Sequence, residues 1–167
     1  MASRRLAERN GTDGAPPRKG ARRDAAAPLG LGVLENHLGY FLRRAQVAVF
    51  QDFIRTLAEI DISPAQYSVL VVIGANRGPS QAEVAEFLGI ERARLVRMLD
   101  HLEKRGLTQR LPSATDRRSH ALHLTAAGQK TLKRAKTLAG THETRLLGRI
   151  GAGHHKLLLE LLREFEV

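Results

Sequence analysis

Apolar residues recur at helical spacing over much of this chain, most regularly in the segment 91–105. There Leu95, Met98, Leu99 and Leu102 fall at i, i+3, i+4 and i+7, the spacing that gathers side chains on one face of an α-helix. Cationic residues occupy the opposite side. The pattern therefore predicts an amphipathic helix with one buried face and one exposed, positively charged face.

A longer helical pattern, over about residues 34–58, is apolar on two sides. The first stripe consists of Leu38, Leu42, Ala45, Val49 and Phe53, and the second of Val47, Phe50, Ile54 and Leu57. A helix that is apolar on two sides has to be covered on both. We therefore expect this helix to contact two partners.

Two serine-led segments mark the beginnings of further helices. Ser-Pro-Ala-Gln at 63–66 and Ser-Gln-Ala-Glu at 80–83 both have the spacing of a capping box, in which the serine and the fourth residue bond each other's backbone N–H. They predict one helix that runs to about Asn76 and another after Ser80. Gly89 marks the turn into the segment 91–105.

A β-hairpin is predicted after that segment, because Gly106 can end the helix. Residues 107–111 are short enough for one strand, and Leu122 and Leu124 alternate with polar residues in a returning strand. The stretch 112–119 between them is rich in polar turn residues, which favours a loop.

Two more helices are predicted after the hairpin. Thr125 can cap the first, which should continue to about Leu147, before Gly151 and Gly153 interrupt the chain. The second covers residues 154–165, and one stripe contains Leu158, Leu161, Leu162 and Phe165. This is more apolar surface than the terminal helix of a small monomer leaves in water.

Together these elements predict a mainly α fold with a small β-wing. Residues 62–125 form a winged helix-turn-helix lobe suited to duplex DNA, and residues 34–58 and 126–167 form a helical dimerisation region that intertwines with a second copy. Residues 1–30 combine Ala, Gly, Pro and charge with no apolar period, so they predict a disordered basic arm. That arm either follows a phosphate backbone or only aids solubility.

The charge balance indicates a polyanionic partner. Lys and Arg number 27 against 17 Asp and Glu, which gives a formal net charge of +10. When such a chain binds phosphates, their counterions are released, and this release favours association. No apolar run approaches the roughly 18 to 20 residues of a spanning helix, and no segment resembles a signal peptide. We expect a cytoplasmic protein with no membrane partner.

Without cysteine, it cannot use thiol chemistry.

Catalytic and metal-binding motifs are missing from the sequence. It contains no Gly-rich phosphate loop, no Gly-x-Ser-x-Gly elbow and no His-Glu-x-x-His motif. His120 and His123 should lie on opposite faces of a strand, and His154 and His155 about 100° apart on a helix, so neither pair is placed to chelate. We therefore expect no enzyme activity, no metal and no cofactor.

The most specific motif spans the hairpin loop and its exit. Asp-Arg-Arg at 116–118 is followed by Leu-His-Leu-Thr-Ala-Ala-Gly at 122–128, after the helix pair 81–89 and 91–105 and the stretch Leu-Asp-His-Leu-Glu-Lys-Arg-Gly-Leu at 99–107. In these features all of the chain but its arm resembles the MarR family of transcriptional regulators. The resemblance implies a triangular homodimer, a reading helix in each of two successive major grooves, wing tips in the flanking minor grooves, and a ligand cleft between dimerisation helices and DNA lobe.

The resemblance and the charge pattern together indicate a DNA-binding face. By resemblance, Arg118 enters a narrow minor groove and Asp116 holds its guanidinium; the alternative is a salt bridge that braces the loop. On the reading helix, Asp100 could instead pair with Arg97 or Lys104 and leave a merely solvated face. The candidate DNA-binding residues are Ser80, Gln81, Arg92, Arg94, Arg97, His101, Lys104, Asp116, Arg117 and Arg118.

Aromatic rings beside arginines indicate a ligand site for a flat molecule with a carboxylate or phosphate. The candidates are His37, Tyr40, Arg43, Arg44, Phe50, Phe53 and Tyr67. Each of these residues could equally belong to the core or the surface. The arrangement resembles MarR regulators that respond to aromatic acids or their coenzyme A thioesters, such as the hydroxycinnamoyl-CoA-responsive group.

These features predict a homodimeric repressor of transcription. It would bind a pseudo-palindrome in double-stranded DNA and be released by a small aromatic or anionic effector, such as an aromatic acid or its acyl-CoA. The alternative is a basic architectural DNA-binding dimer without a ligand response. RNA binding is disfavoured because aromatic residues, which provide stacking platforms, make up only 4% of the chain.

Overall fold

The computed structural model of the chain describes residues 29–112 and 120–165. Its helices are α1 (Leu38–Ala58), α2 (Pro64–Ala75), α3 (Gln81–Phe87), α4 (Arg92–Lys104), α5 (Ala126–Ile150) and α6 (Ala152–Arg163), and strands β1 (Thr108–Pro112) and β2 (His120–Leu124) lie between α4 and α5. A short 3₁₀ helix, Gly32–Asn36, precedes α1 in the chain. This order confirms a mainly α fold with a small β-wing. The predicted arm, residues 1–30, lies outside the described residues except at its last two positions.

The predicted helix starts at Ser63, Ser80 and Thr125 are confirmed by their side-chain hydrogen bonds. At Ser63, Oγ accepts from the backbone N of Gln66 (3.2 Å), and Gln66 Oε1 accepts from the backbone N of Ser63 (2.9 Å). Ser80 has the same reciprocal pair of bonds at the start of α3. Three of the helices therefore begin where local sequence dictates.

The predicted start of α1, at about residue 34, is wrong. Residues Gly32–Asn36 form the 3₁₀ helix instead, and α1 begins at Leu38 after His37, whose backbone is extended. Gly32 has a φ of +55°, a conformation that glycine adopts without steric cost. The apolar periodicity continues through this turn, but the hydrogen-bond pattern of an α-helix does not.

The break between α5 and α6 differs slightly from the prediction. Helix α5 continues to Ile150, three residues beyond the expected Leu147, and ends at Gly151, which has a φ of +81°. Gly153 does not interrupt the chain, because it lies inside α6. One glycine in the left-handed region is enough to turn the chain between these helices.

The wing and the start of α5 are joined by the Leu-x-Leu-Thr-x-x-Gly motif. Strands β1 and β2 are antiparallel, with Thr108 opposite Leu124. Thr125 Oγ1 accepts from the backbone N of Gly128 (3.0 Å) and donates to the carbonyl of Gly106 (2.6 Å). A Cβ at Gly128 would lie only 1.9 Å from the carbonyl oxygen of Leu107, so glycine is required for this close approach.

The core lies around α2, which packs against α1, α3, α5 and β2. The large side chains of this core that are fully buried are Leu57, Val69, Leu70, Val84, Leu95, Leu99, Leu102 and Leu122. The predicted stripe of α4 is thus buried, with Met98 packed at its edge. In the first stripe of α1, Leu42, Val49 and Phe53 are half-buried, but Leu38 and Ala45 are exposed. In the second stripe, Leu57 is fully buried, and Val47, Phe50 and Ile54 are exposed.

Helix α6 leaves its apolar side chains exposed. Its leucines, and Phe165 just after it, are among the exposed hydrophobic residues of the chain: Leu157, Leu158, Leu159, Leu161, Leu162 and Phe165 are between 39% and 63% exposed. None of the described helices is both long and apolar enough to cross a bilayer.

Candidate nucleic-acid interface and ligand site

Helix α4 separates its apolar side from its cationic side. Leu95, Leu99 and Leu102 face the core, and each is at most 1% exposed. The predicted DNA-binding residues of this helix are all exposed: Arg92, Arg94, Arg97, His101 and Lys104. Because the buried leucines fix the rotation of the helix, they also fix which side chains face solvent.

The acidic residues of α4 are paired with the hairpin. Arg110 of β1 binds the carboxylate of Asp100, at 2.7 Å, and that of Glu103. The alternative in which Asp100 neutralises Arg97 or Lys104 is therefore not what the structure shows. Within the ranges 29–112 and 120–165 neither of these cations has an acidic partner, so both are available to an anion.

His101 contacts a neighbouring helix as well as solvent. Its Nδ1 lies 3.0 Å from Nε2 of Gln66, the residue that completes the capping box of α2. The amide nitrogen can only donate, so Nδ1 accepts in this contact. His101 thus holds α4 against the start of α2, and its ring remains exposed for a further contact.

The start of α3 presents fewer free groups than the sequence suggested. The backbone N–H of Ser80 donates to Glu83 and its hydroxyl oxygen accepts from the backbone of Glu83. Hydrogen bonds from the backbone of Ser80, and then from its side chain, lower the pKa of the Glu83 carboxyl. The half-buried side chain of Gln81 is what this turn can offer a phosphate, because both donors of Ser80 are directed at Glu83.

The wing tip falls where the chain is not described. Strand β1 ends at Pro112 and β2 begins at His120, and these two residues are paired across the hairpin. The predicted minor-groove residues Asp116, Arg117 and Arg118 belong to the loop between them, residues 113–119, and lie outside the described residues.

The structure brings two of the predicted ligand residues together with a third ring. Phe53 of α1 packs edge-on against Tyr67 of α2, with ring centroids 5.6 Å apart, and stacks on His142 of α5 at 4.8 Å. Burial is the main cause of the raised pKa of Tyr67, and the charge of Glu143 adds to it. Three helices thus meet in one aromatic cluster, defined as Phe53, Tyr67 and His142.

A second group of predicted ligand residues lies at the other end of α1. Nη1 of Arg44 donates to the hydroxyl of Tyr40 (3.1 Å), and the guanidinium lies 5.7 Å from the centre of that ring. Within the described residues, the side chains of Arg43 and His37 make no hydrogen bond or ion pair and are exposed, and Phe50 is half-exposed. Tyr40 and Phe53 are separated by about 20 Å along the helix, at about 1.5 Å per residue, so the two groups do not meet.

An ion-pair network beside the aromatic cluster was missed by sequence reasoning. Asp52 Oδ2 lies 2.7 Å from Nδ1 of the buried His142 and 2.8 Å from Nη2 of Arg145, which also donates to Thr56 (2.5 Å). The hydrogen bonds from Arg145 and then His142 lower the pKa of Asp52 to about 2. The only signal in the sequence is that His142 follows Leu132, Ala135 and Ala139 at helical spacing, which predicts that it is buried but not what it binds.

Arg105 ties the end of α4 to the end of α1. Its guanidinium donates to the carbonyls of Asp61 and Ile60, the latter at 3.3 Å. Asp61 has a φ of +52°, and the carbonyls near such a turn are not used within a helix. Helix α4 is thereby attached to the turn that follows α1. Among the described residues no three His, Asp or Glu side chains are grouped as metal ligands.

Comparison with known proteins places this geometry among transcriptional regulators. The MarR family model matches residues 60–119. The chain is 33% identical to a putative transcriptional regulatory protein for the hcr operon of Thauera aromatica over 138 residues, 82% of this chain and 83% of that one. The relatives found are regulators and not enzymes.

Solved structures agree with this comparison. The transcriptional repressor CouR bound to a 23-mer DNA duplex is 47% identical and superposes with a TM-score of 0.80, over 83% of this chain and 98% of that one. CouR bound to p-coumaroyl-CoA is 45% identical with a TM-score of 0.74, over 81% of this chain and 96% of that one.

Proposed function

This chain belongs to the MarR family of transcriptional regulators, and from that premise we propose that it is a homodimeric repressor released from its operator by an aromatic acyl-CoA. The observation that carries the proposal is the similarity, over more than four fifths of this chain, to a repressor that has been solved both with duplex DNA and with p-coumaroyl-CoA. Three features of this chain support the three parts of the proposal: the homodimer, DNA binding and release by an acyl-CoA.

Exposed apolar surface supports the homodimer. Helix α1 exposes large apolar side chains, including Val47, Phe50 and Ile54, and α6 exposes a continuous set around Leu158 and Leu161. Exposed apolar area of this extent marks a protein interaction site. Pairing of α1, α5 and α6 between two copies would cover both sets and supply the second partner that α1 requires.

The cationic side of α4 supports DNA binding through the major groove. Arg94, Arg97 and Lys104 are exposed, and the acids of the same helix are held by Arg110. An arginine on such a face can bond guanine O6 and N7 together, whereas a lysine favours phosphate. In a dimer, two such helices would read half-sites about one helical turn, 10 to 10.5 bp, apart. The wing-tip residues Asp116, Arg117 and Arg118 would add minor-groove contacts.

The spacing of the ligand candidates favours an extended effector. The aromatic cluster around Phe53 and the cationic group of Arg43 and Arg44 lie about 14 to 15 Å apart along α1, at about 1.5 Å per residue. A free single-ring acid is too short to contact both, but an acyl-CoA has an aromatic end, a long flexible middle and a phosphorylated end. The dimer is released from DNA if this ligand binds only the conformation in which the distance between the two DNA-binding lobes does not match the operator.

A mobility-shift titration on DNA from upstream of the chain's own gene tests this function. We expect a shifted band that p-coumaroyl-CoA abolishes, and that equal concentrations of free p-coumarate or coenzyme A leave in place. A band that no thioester affects would instead favour the architectural alternative, a basic DNA-binding dimer without a ligand response. A shift that random competitor removes as readily as specific DNA would contradict sequence-specific repression.

A further inference from the structure

A five-residue segment, 59–63, connects α1 to α2, and we call it the connector. It contains Asp61, which has a φ of +52° and is the one residue other than glycine with a positive φ in the described part of the chain. Aspartate adopts this left-handed conformation more readily than most residues, because its short polar side chain can bond locally. In the proposed dimer, the connector joins the helix that pairs with a second copy to the elements that bind DNA. A change in its backbone would therefore turn those elements relative to the second copy.

Arg105, the residue that ends α4, is bound to the connector. Its guanidinium donates to the carbonyls of Ile60 and Asp61. In a continued helix the carbonyl of Ile60 would accept from residue 64, but Pro64 has no N–H, and the dipole of α1 favours a cation at this end. The carboxylate of Asp61 also lies 3.5 Å from Nη2 of Arg105, but it is 88% exposed, so this ion pair contributes little. The arginine is therefore held mainly by the two carbonyls.

A second contact holds the same side of α4 against the start of α2. Nδ1 of His101 lies 3.0 Å from Nε2 of Gln66, and His101 and Arg105 are four residues apart, on one face of the helix. Arg97 stands four residues earlier in the same row and is exposed. The row thus begins with the side chain proposed to read a base and ends with the side chain that is bound to the connector. The backbone of α4 packs mainly against α3 and β1, which belong to the same DNA-binding lobe.

We propose that Arg105 is a positioning residue, which fixes the angle between α4 and α1 and so sets the half-site spacing that the dimer binds. This inference rests on the proposed function, because a spacing exists only where two copies bind one operator. One base pair added between the half-sites moves them apart by about 3.4 Å and turns one relative to the other by about 35°. A dimer whose lobes are held at one angle cannot follow this change, whereas a dimer with a loosened connector can.

The test compares the footprinted operator with two versions that have one base pair added or removed between the half-sites. We expect the wild-type chain to bind the unaltered operator about tenfold or more tightly than either version. In Arg105→Ala this ratio should fall to about threefold or less, because the two hydrogen bonds that hold the connector are lost.

Two control variants change the connector without removing this contact. Asp61→Asn removes the ion pair with Arg105 but keeps both carbonyls and tolerates a positive φ, so it should keep the wild-type ratio. Arg134→Gln removes the arginine of α5 that binds the side chain of Glu59 at 2.5 Å, where both side chains are more than half exposed. It should also keep the ratio, because an exposed pair of this kind contributes little.

The spacing preference distinguishes positioning from a merely structural role. If Arg105→Ala weakens binding to all three operators equally, or leaves all three affinities unchanged, the proposal is overturned. It is also overturned if Asp61→Asn loses the preference to the same extent. If Arg105→Ala does not fold, Arg105→Lys makes the same test, because lysine keeps the charge but cannot bind both carbonyls as a planar fork. A wild-type chain that prefers no spacing would contradict the proposed dimer, so the wild type tests the proposed function and the variants test Arg105.

Discussion

Arg110 determines how much of the positive charge of α4 faces solvent. This residue of β1 holds the carboxylates of Asp100 and Glu103 on the side of the hairpin. Without it, Asp100, which lies three residues from Arg97 and four from Lys104, could pair with either of them. The cationic character of the reading helix therefore depends on a residue outside the helix.

Removal of the Arg97 side chain tests whether α4 contacts a base of the operator. We expect Arg97→Ala to weaken operator binding by about 1 to 3 kcal/mol and to relax the preference at one base pair, because a bidentate contact to guanine is lost. Binding measured on a set of single-base operator variants checks this. Lys156→Ala on α6 removes the same charge far along the chain from α4 and should change affinity little. Equal weakening on every sequence would show that Arg97 contacts phosphate only.

Glycine is required at position 128 because there is no space for a larger side chain, and not because the backbone there has to be flexible. A Cβ there would meet the carbonyl oxygen of Leu107 at 1.9 Å, so Gly128→Ala should separate α5 from the hairpin and lower the free energy of unfolding by about 1 to 3 kcal/mol. Gly140→Ala on the same helix has open space within the chain and should stabilise by up to about 1 kcal/mol. Urea denaturation measures both. Equal stability of the two variants would contradict the close contact.

Helices α1 and α5 are joined by charge as well as by apolar packing. Asp52 of α1 binds His142 and Arg145 of α5, and Phe53 stacks on the same histidine ring. Both contacts lie beside the aromatic cluster proposed to receive the acyl group. A ligand ring that displaces Phe53 would therefore also disturb the packing of α1 on α5.

The network predicts a loss of stability in acid. The pKa of Asp52 falls from 3.8 to about 2 in the folded chain, so its carboxylate stabilises the fold above about pH 4, and that contribution disappears as the pH falls through about 2. In Asp52→Asn, the deficit in unfolding free energy relative to the wild type should therefore shrink over this interval. Denaturation by urea at successive pH values measures it. Glu160→Gln, at an exposed surface pair, serves as control, and a deficit of Asp52→Asn that is constant with pH would refute the assignment.

Local signals predicted helix boundaries well, and long-range contacts poorly. The capping boxes at Ser63 and Ser80 depend on residues three positions apart, so the sequence alone was sufficient. The start of α1 was misplaced because apolar spacing continues through the 3₁₀ turn at Gly32, where periodicity carries no information on hydrogen bonding. The bond between Asp52 and His142 joins residues 90 positions apart, and only the packing of α1 on α5 brings them together.

For the whole molecule, charge and apolar surface suggest two different partners. The net charge of +10 favours a polyanion at any encounter and makes affinity fall as salt rises. The exposed apolar side chains of α1 and α6 favour a second copy of the chain. The proposed function needs both, because in that proposal one copy of α4 covers only a half-site and two copies bind the pseudo-palindrome.

The most direct measurement is sedimentation velocity of a fluorescently labelled operator duplex with the full chain, with and without p-coumaroyl-CoA. We expect a complex that contains two 18.4 kDa chains per duplex, and its conversion to free duplex when the thioester is added. A complex with one chain per duplex, or one that keeps its mass at saturating thioester, would contradict it.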